Sequence, residues 1–490
     1  MSRAIPNGSE VVERGGEEVP VATEVGELGI DLTKCPRNWL PAPVDTGTGT
    51  PTVDVTARLY ECRDGHWAPA GPDVKRVITF ALSGTSREPG FCLNDGESAN
   101  PDLYFPEQPG FELDDDATVD DRCPARILGQ PNPPHDHHQT ARTDAPTTEA
   151  TVTIRCEDFG AWGWVEAKAD DCVPIPPRDD PDAPVSCNDK GCCWGANQVS
   201  IPRDENANRI ADVAAQDAAG PGRRGARQDV DDTPSNPQPG DGLTAYEEHR
   251  GFIVHDAGTD ETHVRTDIDE KDLFVYDQSD LGIGHFGSSK VTVHLLKDSR
   301  LYEANHSRRI NFNSRFSTQG DQHGLWLKNT SLDGGYGRIR PVRRHGSVDS
   351  PGDVYDVLID RSKIAAKRIP GLLERVIAHE LGHAVGIAHH GRWKPYHPCP
   401  IGHTVINLTE LAGRPTSGNV DCVMRYGYWN GAQAWCNTHR AADGWNPLVG
   451  LPGETFCTSA TATGENVAPS GFHNDATVGN CQEQIRIKDY

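Results

Sequence analysis

Fourteen cysteines divide this 490-residue chain into unequal parts. Nine lie between Cys35 and Cys193 and five between Cys399 and Cys481, with none in the long interval. No CxxC pair occurs, which argues against a zinc ribbon or a thioredoxin-like redox site. Disulfides are the expected use of so many thiols, and they need an oxidising compartment. Both groups are odd in number, so a bridge between them would tie the two ends of the chain together. The expectation is a secreted or extracellular protein, although residues 1–30 show no charged n-region followed by an apolar h-region.

The formal charge is −25 at pH 7. Such a field repels polyanions, so nucleic acid is not an expected partner. It attracts cations, and Asp and Asn oxygens are the usual ligands of calcium. No apolar run approaches the 18 or so residues of a membrane-spanning helix, so membrane insertion is not expected either.

The length suggests several domains. Residues 1–50 begin polar, acidic and aperiodic, as a flexible N-terminal segment does. From 51 to 175, segments such as TVDVTARLYEC, KRVITFALS and TEATVTIRCEDFGAWGWVEAKA alternate polar and apolar residues between turn-forming clusters. They predict an all-β sandwich, Ig-like by default, as an accessory domain. Within it, Pro134-His135-Asp136-His137-His138 reads as a solvated loop sooner than a metal site.

Residues 176–245 are rich in Pro, Gly and charge and read as a linker. Inside it, Asp204, Asn206, Asn208 and Asp212 place oxygen side chains at near-alternate positions, a spacing that lets a tight loop converge on calcium. The run resembles the calcium loops of thrombospondin type 3 and dockerin-like repeats, but departs from an EF-hand loop by carrying Arg209 where Gly is wanted and Ala215 where the bidentate Glu belongs. Asp241-Gly242-Leu243, followed by Glu247 and Glu248, resembles a displaced second half. An acidic, solvated linker is the alternative. Residues 246–490 mix strand-like segments with one strong helix, an α+β pattern.

That helix carries the chemistry. In the run from Pro370 to Gly391, Leu372, Val376, His379 and His383 recur at helical spacing and share a face. His379 and His383, four apart, project the same way and can grip one ion, with Glu380 beside it. Gly386 permits the chain to leave the helix, so that His389 can return as a third nitrogen ligand. Three imidazoles leave the fourth corner of a tetrahedral zinc open to water, and Glu380 is placed to act as its general base. His390 is a weaker rival to His389, and no motif claims His397 or His403.

HExxHxxGxxH, followed by Cys422-Val423-Met424-Arg425-Tyr426, resembles the metzincin clan of zinc endopeptidases, which pair that motif with a later Met-turn. Met424 is the sole methionine beyond Met1. The resemblance covers residues 370–430 and implies that Met424 packs beneath the metal. It further implies that Tyr426 stabilises the oxyanion of the intermediate, with Tyr428 as a rival. His390 departs from the residue that follows the third ligand in the astacin, serralysin, adamalysin and matrixin groups, so no subfamily is assigned. A cysteine-switch segment is not found. Cys399 and Cys422 flank the stretch between His389 and Met424, where a bridge would stiffen the cleft wall.

The expectation is therefore a β-sandwich followed by a metzincin-like α+β catalytic domain over 246–490, acting as a zinc metalloendopeptidase on protein or peptide substrates, with Zn2+ and Ca2+ as its ions. The alternative is a noncatalytic, calcium-dependent adhesin or binding protein whose zinc helix is structural. Glu380 favours the enzyme, since a purely structural site needs no general base.

Overall fold

Alternation of side chains organises the N-terminal half. The computed structural model describes residues 27–114 and 137–175 apart from short gaps, 198–214, and 240–315 and 322–387 again apart from short gaps. It also describes the stretches 126–127, 130–131, 186–187, 229, 400–401, 404–405, 422–424, 455–456 and 481–488. Strands predominate and helices are few among these residues, and no helix is long and apolar enough to cross a membrane.

Along Thr52–Arg63, Val53, Val55, Ala57 and Leu59 are buried while Thr52 and Asp54 are exposed, the period of two that a half-buried strand requires. Ile78–Ser83 turns in Ile78, Phe80 and Leu82, and Glu149–Cys156 turns in Ala150, Val152, Ile154 and Cys156. These residues belong to a six-stranded and a five-stranded sheet that share one core. Cys62 and Cys187 form a disulfide at its margin.

Three expectations need correction. The flexible segment does not extend to residue 50, because Leu28–Lys34 is a strand antiparallel to Thr52–Arg63, with Leu28, Ile30 and Leu32 buried. The linker is partly sheet and core: Gln198–Ile201 pairs with Gly163–Ala169, and residues 240–245 are buried. His137 is not solvated but 3% exposed, with Nε2 2.8 Å from a Glu157 oxygen. His135 and Asp136 lie outside the described residues.

The second half is built on a five-stranded sheet. We label its strands β1 (Asp272–Asp277), β2 (Thr292–Leu296), β3 (Leu325–Asn329), β4 (Gly337–Pro341) and β5 (Val354–Ile359). Their order is β2-β1-β3-β5-β4; every pair is parallel except the edge pair β5–β4. All six residues of β1 are buried, as in a parallel strand covered on both faces. Leu273 and Val275 face the core containing the long helix. Phe274 and Tyr276 face a second core that also holds Phe91, Leu93 and Phe159 from the first half, and Phe252 and Tyr302.

The two halves are therefore fused. A helix, α1 (Ala245–Arg250), is capped by a reciprocal Thr244–Glu247 box. It ends on Arg250, which is fully buried; its Nε donates to Asp158 at 2.8 Å and its Nη1 to the Asn313 carbonyl at 2.9 Å. Asn94 exchanges two hydrogen bonds with the backbone of Ile253, at 2.8 and 3.0 Å.

Candidate metal centre

The motif helix, α2, spans Leu372–Ala384. It opens after Gly371 in a left-handed conformation, so Pro370 stands just outside its first turn. Leu372, Val376, Ile377 and Leu381 join the core beneath the sheet, which fixes the helix's rotation. His383 on that side is buried and His379 half-buried. The end is a Schellman turn: the Gly386 amide donates to the His383 carbonyl at 3.1 Å, the Ile387 amide to the Gly382 carbonyl at 2.9 Å, and Gly386 sits at φ 84°.

Each histidine is locked from behind. His379 Nδ1 lies 2.8 Å from the Val423 carbonyl and His383 Nδ1 lies 2.8 Å from the Ile387 carbonyl. A carbonyl oxygen only accepts, so both Nδ1 atoms carry a proton, and a ring neutral in that tautomer presents a lone pair at Nε2. The two Nε2 atoms are 3.2 Å apart. Facing lone pairs repel unless a proton or cation lies between them. Two nitrogens on a tetrahedral zinc at about 2.05 Å stand about 3.3 Å apart, so the residues present fit that ion, and the Nδ1–carbonyl bonds are the outer-shell anchors such ligands use.

Met424 is fully buried against the same helix. A Cβ on Gly382, between the two histidines, would come within 2.5 Å of Met424 Sδ and 3.0 Å of Phe456 Cε1. Glycine there costs about 1 kcal/mol of helix propensity, which the close approach of Met424 explains. Residues 422–424 are held by 455–456, with the Val423 amide donating to the Thr455 carbonyl at 2.8 Å. Phe456 packs edge-on against Phe286, with ring centroids 5.4 Å apart.

Glu380 lies against the edge strand β4. A Cβ on Gly337 would approach its Cγ to 2.5 Å, so glycine makes the space the carboxylate occupies. Desolvation against β4 raises its carboxyl above the ordinary value and makes it a stronger base when ionised, with the Ile339 amide and the Arg338 charge pulling the other way. His389, His390, Tyr426 and Tyr428 lie outside the described residues, as do Cys399, His397 and His403.

The loop 204–212 has turned its oxygens on its own backbone. Asp204 accepts from the Asn208 amide at 3.1 Å and the Arg209 amide at 2.6 Å, Asn206 from Asn208 at 3.0 Å, and Asn208 from Ile210 at 2.8 Å. The Asp212 carboxylate takes the Glu205 amide at 3.1 Å. Arg209 adopts the left-handed conformation a glycine would supply, at φ 68°, and its guanidinium lies 4.4 Å above the Trp162 ring.

Sequence reasoning missed a second acidic group. Asp241, Glu248 and Asp272 are all buried, with carboxylate oxygens within 4.8 Å of one another. Burial and the neighbouring Asp272 and Asp229 hold the Asp241 carboxyl well above the carboxylate range. Asp272 Oδ1 lies 2.6 Å from His294 Nε2, while its buried Oδ2 has no hydrogen-bond donor. Gln322 Nε2 donates to the carbonyls of Asp241 and Asp272 at 3.1 and 2.7 Å, leaving its buried Oε1 without a donor. Asp241 and Glu248 were visible as spaced acids; Asp272, at the start of β1, had no signal linking it to them.

No protein-family profile matches this chain, and no curated protein or solved structure matches it either.

Proposed function

We propose that the protein is a secreted zinc endopeptidase of metzincin type, with an immunoglobulin-like sandwich as its accessory domain. The observation that carries this reading is the facing pair of imidazole nitrogens, each with its other nitrogen tied to a backbone carbonyl. His379, His383 and, by the sequence pattern, His389 would hold zinc, which supplies a Lewis acid with an open coordination position.

The chain's own groups do the rest. Glu380 takes a proton from the attacking water and returns it to the leaving amine, a role that needs a carboxylate beside the ligands but off the ion. Tyr426 donates a hydrogen bond to the developing oxyanion, with Tyr428 as its rival. Met424, packed against Gly382 between the histidines in sequence, would keep the floor of the site apolar. Among the described residues β4 is paired only on its β5 side, so its other edge, beside Glu380, can accept an extended peptide as an added strand.

The Cys62–Cys187 disulfide supports an oxidising destination. Calcium enters this reading as a stabilising ion. The triad Asp241–Glu248–Asp272 suits it better than the loop 204–212, because calcium takes oxygen ligands at 2.3–2.6 Å and so spans about 5 Å between opposed ligands, and because the buried Asp272 Oδ2 has no hydrogen-bond donor.

The test is direct. The purified protein should cleave a generic protein substrate, lose activity to a zinc chelator, and be inactive as Glu380→Ala with zinc still bound. Full activity in that variant overturns the mechanism. Zinc binding without any cleavage by the unmodified protein would favour the binding-protein alternative. A proteome-derived peptide library read by mass spectrometry would give the cleavage preference.

A further inference from the structure

Cys422 and Cys481 are both fully buried, and their sulfurs are 3.4 Å apart. They are 59 residues apart in sequence. Cys422 stands next to Val423, whose carbonyl holds His379, and two residues before Met424. Cys481 opens the stretch 481–488, which returns to the same helix. The Arg486 amide donates to the Val385 carbonyl at 2.9 Å, at the helix end that positions His383, and Ile485 and Ile487 join the core with Met424 and Leu381. The two sulfurs thus join the segment that anchors His379 to the segment that holds the C-terminal end of α2 beside His383.

We propose that Cys422 and Cys481 form a disulfide that fixes the Met424 turn to the C-terminal segment, and that this bond holds the His379 anchor in place. Bond formation removes one proton from each thiol and two electrons from the pair, and a new S–S bond replaces two S–H bonds. The oxidant is a disulfide of the small-molecule or oxidoreductase class, itself reduced to two thiols. Closing 3.4 Å to about 2.05 Å is within the reach of side-chain rotation when the sulfurs already touch. Both groups are shut away from solvent in the folded chain, so the bond forms before the core closes. A Cys422–Cys481 bond would leave no place for a Cys399–Cys422 bridge. The disulfide itself stands independently of the proposed peptidase; only its effect on the metal rests on that reading.

The first experiment uses the unmodified protein made under oxidising conditions, denatured with alkylating agent but no reductant, digested and mapped by mass spectrometry. A peptide joining Cys422 to Cys481 is expected. Alkylated Cys422, or Cys422 joined to Cys399, Cys436 or Cys457, overturns the proposal. The second measures zinc affinity by competition with a chromogenic chelator, for the unmodified protein before and after mild reduction and for Cys481→Ser. A loss of about tenfold is expected, the scale of outer-shell changes at metal sites. Unchanged affinity would remove the positioning role while leaving the mapped bond. Failure of the unmodified protein to bind zinc would instead sink the peptidase reading, again without touching the bond.

Discussion

The histidine pair of α2 and the acidic loop 204–212 both offer ligands at regular spacing, yet their donor atoms are committed differently. In the loop, Asp204, Asn206, Asn208 and Asp212 accept from backbone amides of the loop itself, so its polar groups are satisfied by the chain alone. In the helix, the backbone carbonyls of Val423 and Ile387 occupy the far nitrogens and leave the near ones 3.2 Å apart. A site that is stable by itself gains little from an ion; a site whose donors oppose each other gains much. Spacing is common to both regions, and the outer partners separate them.

The largest effect should come from the helix. His383→Ala should abolish zinc binding, measured by metal analysis of the purified protein, and all peptidase activity with it. Glu380→Gln should keep stoichiometric zinc while kcat falls about 10²- to 10⁴-fold, the usual contribution of a positioned general base. A variant that keeps both zinc and rate would break the contrast at its stronger end.

Next in size is calcium. If the buried triad holds the ion, calcium at a hundredfold excess over Kd should stabilise the protein by about 2.7 kcal/mol. Asp272→Asn, which keeps shape and removes charge, should abolish most of that gain. Asp204→Ala should leave it nearly intact, because the loop's own amides already occupy its carboxylate. The reverse pattern in calcium-dependent melting would return the ion to the loop.

Gly382→Ala is a smaller test with a sign that decides. Helix propensity alone predicts a gain of about 1 kcal/mol. Overpacking against Met424 Sδ at 2.5 Å predicts a loss of about 1–3 kcal/mol. Both Met424 and Phe456 are buried, so the loss should win, and a denaturant melt should show it. A stabilised variant would mean that Met424 is not pressed against the helix.

How much of this was legible in the sequence follows from range. The helix, its Gly386 end and the paired histidines rest on contacts within a few residues, and periodicity reveals those. Met424 was legible only through resemblance. The Val423 carbonyl, Phe456 and the Gly337 gap beside Glu380 come from segments tens of residues away, and no local pattern announces them. The same limit hid Leu28–Lys34, a short strand held by its partner, and the burial of 240–245, where Pro, Gly and Asp suggested a linker. There Asp229 accepts the amides of Asp241 and Gly242 at 3.1 and 3.2 Å, so residues typical of a solvated segment line a polar core. The Asn94–Ile253 exchange that fuses the two halves was equally silent, since a lone Asn has no signature.

The smallest prediction concerns acid. His249, on α1, is buried and its pKa lies well below the ordinary 6.5, held down by burial and by the Arg265 charge. The unfolded chain therefore binds a proton below pH 6.5 that the folded chain refuses. The neutral form costs nothing extra above pH 6.5, and stability falls as pH drops from there toward the depressed value, by up to about 1.4 kcal/mol per pH unit for this one group. His249→Phe should remove that slope while leaving stability at pH 8 little changed, because neither ring nitrogen of His249 has a hydrogen-bond partner to lose. Urea melts at pH 8, 6.5 and 5.5 on both proteins isolate the difference, since the two chains differ at this residue alone. Equal slopes would show that His249 gains a proton without unfolding, and that the layer joining the two halves opens to water more readily than the helix site does.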